Sequence, residues 1–247
     1  MRWCQKGDVS VQPRTASTPL SAFTYIEPII CDKLTNKQKA DLILASFYRD
    51  NIPKEAVDLQ RAVFAKFGYK LRQIKFSVND ITRGFHGEAI QNFLFSCDKR
   101  DCALIFDVDA IPLSRYSIPS LAQNALCGRV CGTAQQSNFL HADHPYASPA
   151  FFGITIDTFY KLGGKCAQTQ RSDAVEELTW KAQEIGIPVS LFWPHSSETK
   201  KWKLGLIQWY GIGTTYASRG FPIAYHQFEA RVSTDNFVCK CKEILEM

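Results

Sequence analysis

The strongest constraint on this chain is five residues long. Cys102-Ala103-Leu104-Ile105-Phe106 is an unbroken apolar run, fenced by Asp98-Lys99-Arg100-Asp101 before it and Asp107 after it. A strand with one wet face alternates apolar and polar side chains. A run without alternation needs apolar partners on both faces, as in the interior of a parallel sheet covered on each side. Its length suits a strand better than a helix. A chain that contains it must build a layered core around it, and 247 residues are enough to do so in one domain.

The flanking segments alternate as such a core requires. Phe23–Cys31 is β-branched and aromatic and reads as a first strand, with Pro28 confining it to an edge or a bulge. Thr35 caps a predicted helix that carries Ala40, Ile43, Leu44 and Phe47 on one face. A second helix begins at Pro53, repeats Ala56, Leu59, Val63 and Phe67, and stops at Gly68. Tyr69–Phe76 reads as a strand. A helix opening at Gly87 turns Ala89, Ile90, Phe93, Leu94 and Cys97 inward.

Beyond the apolar run the pattern is less regular. Pro149–Ile156 reads as a strand, followed by a short helix capped by Asp157 and ending at Gly163-Gly164. An amphipathic helix spans Asp173–Ile185, a short strand Val189–Phe192, and a last strand Ile223–Tyr225. Trp193–Tyr216, rich in aromatics and glycine, reads as a loop with the makings of a lid. The expectation is an α/β fold: one domain over 20–247 with a mixed, mostly parallel central sheet flanked by helices. Residues 1–19, rich in Ser, Thr and Pro, read as a flexible arm.

Composition removes several classes. Hydrophobic residues at 45% and charged residues at 21% exclude a disordered chain. No stretch is long and apolar enough for a membrane span, and the N-terminus lacks the apolar segment of a secretory signal, so a cytoplasmic protein is expected. The nine cysteines show no zinc-site spacing and read as reduced thiols, mostly buried. A net charge of +5 suits phosphate handling without implying nucleic-acid binding. Lys99-Arg100 and Lys200–Lys203 are short basic clusters of the kind that usually form solvated faces.

Chemistry concentrates where the apolar run ends. Asp107-Val108-Asp109 places two carboxylates beyond the carboxyl end of a buried strand, where ligands bind in open α/β sheets. Their hard oxygens suit Mg²⁺ or Mn²⁺ shared with substrate phosphates. The plainer reading is a solvated strand end whose aspartates close a turn. Arg83-Gly84-Phe85-His86-Gly87-Glu88 sits at a predicted helix start where backbone N–H groups could approach phosphate or ribose. It lacks the spacing of a P-loop or a dinucleotide fingerprint.

From about Phe23 to Arg231 the chain resembles the GT-A glycosyltransferases, which use nucleotide-sugar donors. Asp107-Val108-Asp109 resembles their Asp-x-Asp motif. Ser148–Gly153 is similar to the small-residue segment beside the donor sugar. Leu162-Gly163-Gly164, a loop, Asp173 and a helix resemble the pattern of the inverting branch, in which the acidic residue is the general base. Ser172-Asp173 stands where Glu-Asp is commoner, and no uracil-binding aspartate is evident beyond Asp32.

The resemblance implies a single Rossmann-like GT-A domain. It also implies Mn²⁺ or Mg²⁺ on Asp109 and Asp107 with His226 as third ligand, and Asp173 as base. Asp107, Asp109, His86, Gly153 and Arg231 would face a nucleoside-diphosphate sugar. The acceptor (glycan, lipid, protein or modified nucleic acid) stays open. A haloacid-dehalogenase-type phosphatase also carries Asp-x-Asp after an apolar strand, but near its N-terminus and followed by Thr, whereas here Ala110-Ile111-Pro112 follows. A non-catalytic nucleotide-sugar-binding module is the remaining alternative.

Overall fold

The computed structural model describes residues 24–76, 85–137, 144–169, 172–205, 208–229 and 234–247. In chain order the elements are β1 (Tyr25–Ile26), α1 (Asn36–Ala40), β2 (Leu42–Arg49), α2 (Lys54–Lys66), β3 (Arg72–Phe76), α3 (Phe85–Phe95), β4 (Cys102–Asp107), β5 (Ala110–Pro112) and α4 (Ser117–Leu126). They continue with β6 (Val130–Gln136), β7 (Pro145–Thr155), α5 (Ile156–Lys161), α6 (Glu176–Glu184), β8 (Val189–Leu204), β9 (Gln208–Ser218), β10 (Phe221–His226) and α7 (Asp235–Glu246). The expected arm over 1–19 lies outside the described residues.

The apolar run forms β4 up to Asp107, and each of its five residues is fully buried. Its side chains alternate between two clusters. Ala103 and Ile105 join Ile90, Phe93 and Leu94 of α3 and Leu178 of α6. Cys102, Leu104 and Phe106 join Phe64 of α2 and Ile118 and Leu121 of α4. The sheet is therefore sandwiched between helices, as the run demanded.

The sheet is more mixed than expected. β4 pairs in parallel with β2 but antiparallel with β7, and among the described residues only the β1–β8, β2–β3, β2–β4 and β6–β8 pairings are parallel. The strand order is β3-β2-β4-β7-β6-β8-β9-β10-β5, with β1 beside β8. β4 is third in that order and β5 last, yet only Val108 and Asp109 separate them in the chain. The sheet must curl until its far edge returns to the carboxyl end of β4. The long strand β8 makes the bend: Val189–Phe192 pair with β6, and pairing with β9 begins at Trp193.

Three local expectations are corrected. The helix capped by Thr35 ends at Ala40, and Ile43, Leu44 and Phe47 belong to β2. The short helix after β7 is capped by Thr155, whose hydroxyl accepts from the Thr158 N–H, and not by Asp157. Trp193–Tyr216 is not a loop: Trp193–Leu204 of β8 and Gln208–Tyr216 of β9 form an antiparallel hairpin. The eight described cysteines are free, with Cys102, Cys131, Cys166 and Cys241 buried and Cys127 and Cys239 exposed. Among the described residues no helix is long and apolar enough to cross a membrane.

Gly87 has a packing role. A Cβ there would lie 2.2 Å from the Cys166 carbonyl oxygen and 2.9 Å from the Ala167 Cα. Backbone cannot yield as a side-chain tip can. Gly87→Ala is expected to cost about 1–3 kcal/mol, measured by denaturant unfolding.

Candidate metal centre

The turn that joins β4 to β5 is held from two sides. The buried Gln60 of α2 donates its Nε2 to the Asp107 carbonyl (2.7 Å) and the Ala110 carbonyl (3.0 Å), and Gln73 donates to Gln60 Oε1 (3.1 Å). From the other side the Gln227 N–H donates to the Asp109 carbonyl (2.9 Å). β10 pairs with β5 so that His226 stands opposite Ala110. The curl of the sheet thus brings a histidine from near the end of the chain against the acidic pair.

His226 Nε2 lies 3.2 Å from Asp109 Oδ1 and 3.8 Å from Asp107 Oδ2. The ligand atoms of Asp107, Asp109 and His226 all lie within 4.8 Å of one another. On the far side of Asp107, His86 Nε2 is 3.3 Å from Asp107 Oδ1, and the His86 ring stacks on Phe76 at 6.0 Å and 18°. The centre is recessed: the His226 side chain is 5% exposed, Asp109 12% and Asp107 22%.

This group fits a divalent cation. Metal–oxygen bonds of about 2.0–2.1 Å place neighbouring ligand atoms about 3 Å apart and opposite ones about 4 Å apart. The separations of His226 from Asp109 (3.2 Å) and from Asp107 (3.8 Å) fall in that range. Burial lifts Asp107 above the ordinary carboxylate range, and the charges of Asp109 and Asp173 push it further, while His86 and His226 oppose them. A cation between the carboxylates would remove that repulsion. Asp107 Oδ1 and His226 Nδ1 are buried and make no hydrogen bond among the described residues.

Two cavities open from the centre, and Asp107, Asp109, His86 and Glu229 line both. One, of about 210 Å³, runs between Phe47, Arg49 and Asn51 at the end of β2 and Phe76 at the end of β3. The other, of about 230 Å³, is bounded by Gln135, Tyr146, Pro149 and Asp173. Asp173 thus lines the same cavity as the candidate cation ligands, where a carboxylate can act on a group held beside them.

Asp173 precedes α6 without capping it. The N-cap position is Val175, in the left-handed region at φ 59°. The Asp173 N–H donates to Glu176 Oε2 (2.7 Å), and Asp173 Oδ1 accepts from the Ala174 N–H (2.8 Å). Glu176 thus reaches back to the Asp173 N–H as the acidic partner of a capping box does. Glu176 is fully buried, accepts from Trp180 Nε1 (3.2 Å), and is held above the usual carboxylate range by that burial.

Beside Glu176 the His144 ring stacks on Trp180 at 3.6 Å and 3°. Its Nε2 is 3.2 Å from Gln183 Oε1, and its Nδ1 is 3.9 Å from Glu176 Oε1. Burial drives His144 down to about 4. Below the ordinary histidine pKa the unfolded chain takes up a proton that the folded chain refuses, so stability falls with pH from about 6.5 to about 4. The histidine contributes a loss on the order of 3 kcal/mol across that window. Glu176, raised by burial, works in the opposite direction. Urea unfolding of wild type and His144→Gln between pH 7 and pH 4 is expected to show the flatter profile in the variant.

The remaining site expectations divide. Gly153 sits inside β7, where a Cβ would meet Leu121 and Leu104 at 3.1–3.2 Å, and it lies within the core packing. Arg231 lies outside the described residues. Sequence reasoning did not identify Gln60, which was visible only as a polar residue on the buried stripe of α2, or Gln227 and Phe228, which carry no motif. No family model matches the sequence, and no curated protein matches it. Among solved structures, the catalytic domain of Drosophila beta1,4-galactosyltransferase 7, in complex with xylobiose, is similar at 17% identity over 64% of this chain and 66% of that one, with a TM-score of 0.40. The likeness thus spans just under two thirds of that chain.

Proposed function

We propose that this protein is a metal-dependent glycosyltransferase that moves a sugar from a nucleoside-diphosphate donor to an acceptor hydroxyl, with inversion. The observation that carries the reading is the Asp107–Asp109–His226 cluster, recessed at a strand end and lining a cavity that Asp173 also lines.

Asp107, Asp109 and His226 would hold Mn²⁺ or Mg²⁺; two carboxylates suit either ion, and the imidazole nitrogen favours Mn²⁺. When bound, the ion would neutralise charge on the departing nucleoside diphosphate. The turn needs no rearrangement to present its carboxylates, because Gln60 and Gln227 already fix its backbone. Asp173 would take the proton of the attacking hydroxyl, and Glu176, bonded to the Asp173 N–H, would set its position. The aromatic walls of Phe47 and Phe76 would exclude water from the first cavity.

A thermal-shift screen of nucleoside diphosphates with and without Mn²⁺ tests this. Ligand at about 100 times its Kd adds about 2.7 kcal/mol, which for a domain of this size raises Tm by roughly 5–10 °C. The shift is expected only with nucleotide and metal together. Phosphate release from an aryl phosphate with no response to nucleotides would point to the phosphatase reading. A nucleotide shift with no transfer or hydrolysis of any sugar nucleotide would point to a binding module.

A further inference from the structure

We infer that Phe228, held by the β8–β9 hairpin, is the positioning residue that orients the His226 imidazole toward the metal. This rests on the metal reading above and extends it to a residue outside the ligand set.

A ligating histidine is usually oriented by a hydrogen bond from its second ring nitrogen to a carboxylate or carbonyl. His226 Nδ1 is buried and has no such partner among the described residues. What touches the ring is Phe228, at 3.7 Å between centroids and 36° between planes. Extended backbone would hold side chains two residues apart at about 6.7 Å. The closer approach comes from the backbone: Phe228 and Glu229 both lie in the left-handed region, at φ 54° and 53°. Two consecutive non-glycine residues in that region are strained, and such strain persists only where the surroundings impose it.

The hairpin supplies the surroundings. Trp202 of β8 and Tyr210 of β9 are register partners, and their rings lie 5.4 Å apart. Phe228 packs against both, at 5.2 Å from Trp202 and 5.5 Å from Tyr210. Tyr210 is itself tied down where its hydroxyl accepts from the Gln136 N–H (3.2 Å). The next residue is latched as well, Lys201 Nζ meeting the Glu229 carboxylate at 2.6 Å. An aromatic wedge thus presses on one face of His226 and leaves its Nε2 edge directed at Asp109 and Asp107.

Two substitutions separate the ring from the backbone. Phe228→Asn removes the ring but tolerates the left-handed conformation. Phe228→Tyr keeps the ring. The probes are Mn²⁺ titration followed by electron paramagnetic resonance and the visible absorption of Co²⁺ in the same site, both without nucleotide. Phe228→Asn is expected to weaken Mn²⁺ about ten-fold or more and to alter the Co²⁺ spectrum, the range seen for outer-shell partners of metal ligands. Its Tm without metal is expected to fall modestly, because the packing against Trp202 and Tyr210 is lost with the ring, and Phe228→Tyr to match wild type in both probes. If Asp109→Asn loses Mn²⁺ while Phe228→Asn binds it within about two-fold of wild type with an unchanged Co²⁺ spectrum, the positioning role is wrong and the metal reading stands. If wild type binds neither ion, or Asp109→Asn binds both as wild type does, the metal reading fails and this role fails with it.

Discussion

Asp109→Asn is expected to abolish metal-dependent nucleotide binding while leaving the fold intact. The substitution keeps the shape of the side chain and removes its charge. The backbone of the turn does not depend on that charge, because Gln60 and Gln227 bond the carbonyls of Asp107, Asp109 and Ala110. Loss of outer-shell partners alone costs about 10–100-fold in metal affinity, so loss of a direct ligand is expected to exceed about 100-fold. A second signature separates this from general damage. Without metal, Asp107 is pushed up by burial first and also by the charge of Asp109. Neutralising Asp109 relieves that repulsion, so the metal-free variant is expected to melt at or above the wild-type temperature. Calorimetric titration of Mn²⁺ and a nucleoside diphosphate into both proteins, alongside their melting curves, reads both effects. Wild-type affinity in the variant would remove Asp109 from the ligand set.

Asp173→Asn is expected to separate chemistry from binding. General base catalysis contributes about 10²–10⁴-fold, and turnover is expected to fall by that factor. Donor and metal affinity are expected to change far less than turnover, since Asp173 is outside the ligand cluster and is bonded locally to Ala174 and Glu176. The measurement is kcat and donor KM for both proteins, with the anomeric configuration of the product. Near-normal turnover would move the base elsewhere. Glu176 is a poor replacement, being fully buried and already accepting from the Asp173 N–H and the Trp180 indole. Retained configuration in the product would remove the need for such a base.

What the sequence disclosed was mostly what is local. α2 and α3 follow from apolar spacing with nearby Pro and Gly punctuation, and β4 from a run with no polar interruption. The same logic misled at Ile43, Leu44 and Phe47, whose spacing fits one helical face. β2 is buried from both sides, and a strand with two apolar faces has no period of its own to set against the helical one. The β8–β9 hairpin was hidden for the opposite reason. Lys200, Lys201 and Lys203 give it an exposed outer stretch, and its apolar content is aromatic and irregular. At the site, Asp107 and Asp109 were visible because they adjoin a legible strand. His226 could be suggested by resemblance, but its approach to them depends on the curl of the sheet. Gln60, Glu176 and Phe228 act through contacts that no spacing rule encodes.

The short connection between β4 and β5 also governs when the centre can exist. The acidic pair precedes its histidine partner by more than a hundred positions along the chain, so loop-closure entropy must be overcome before the three side chains meet. They meet only once β8, β9 and β10 have been added in sequence and β5 has closed against β10. A nascent or half-assembled polypeptide carries the aspartates without the site. An ion that binds only the finished arrangement should leave the folding rate almost untouched and slow unfolding, so its protection would be kinetic persistence of the native state.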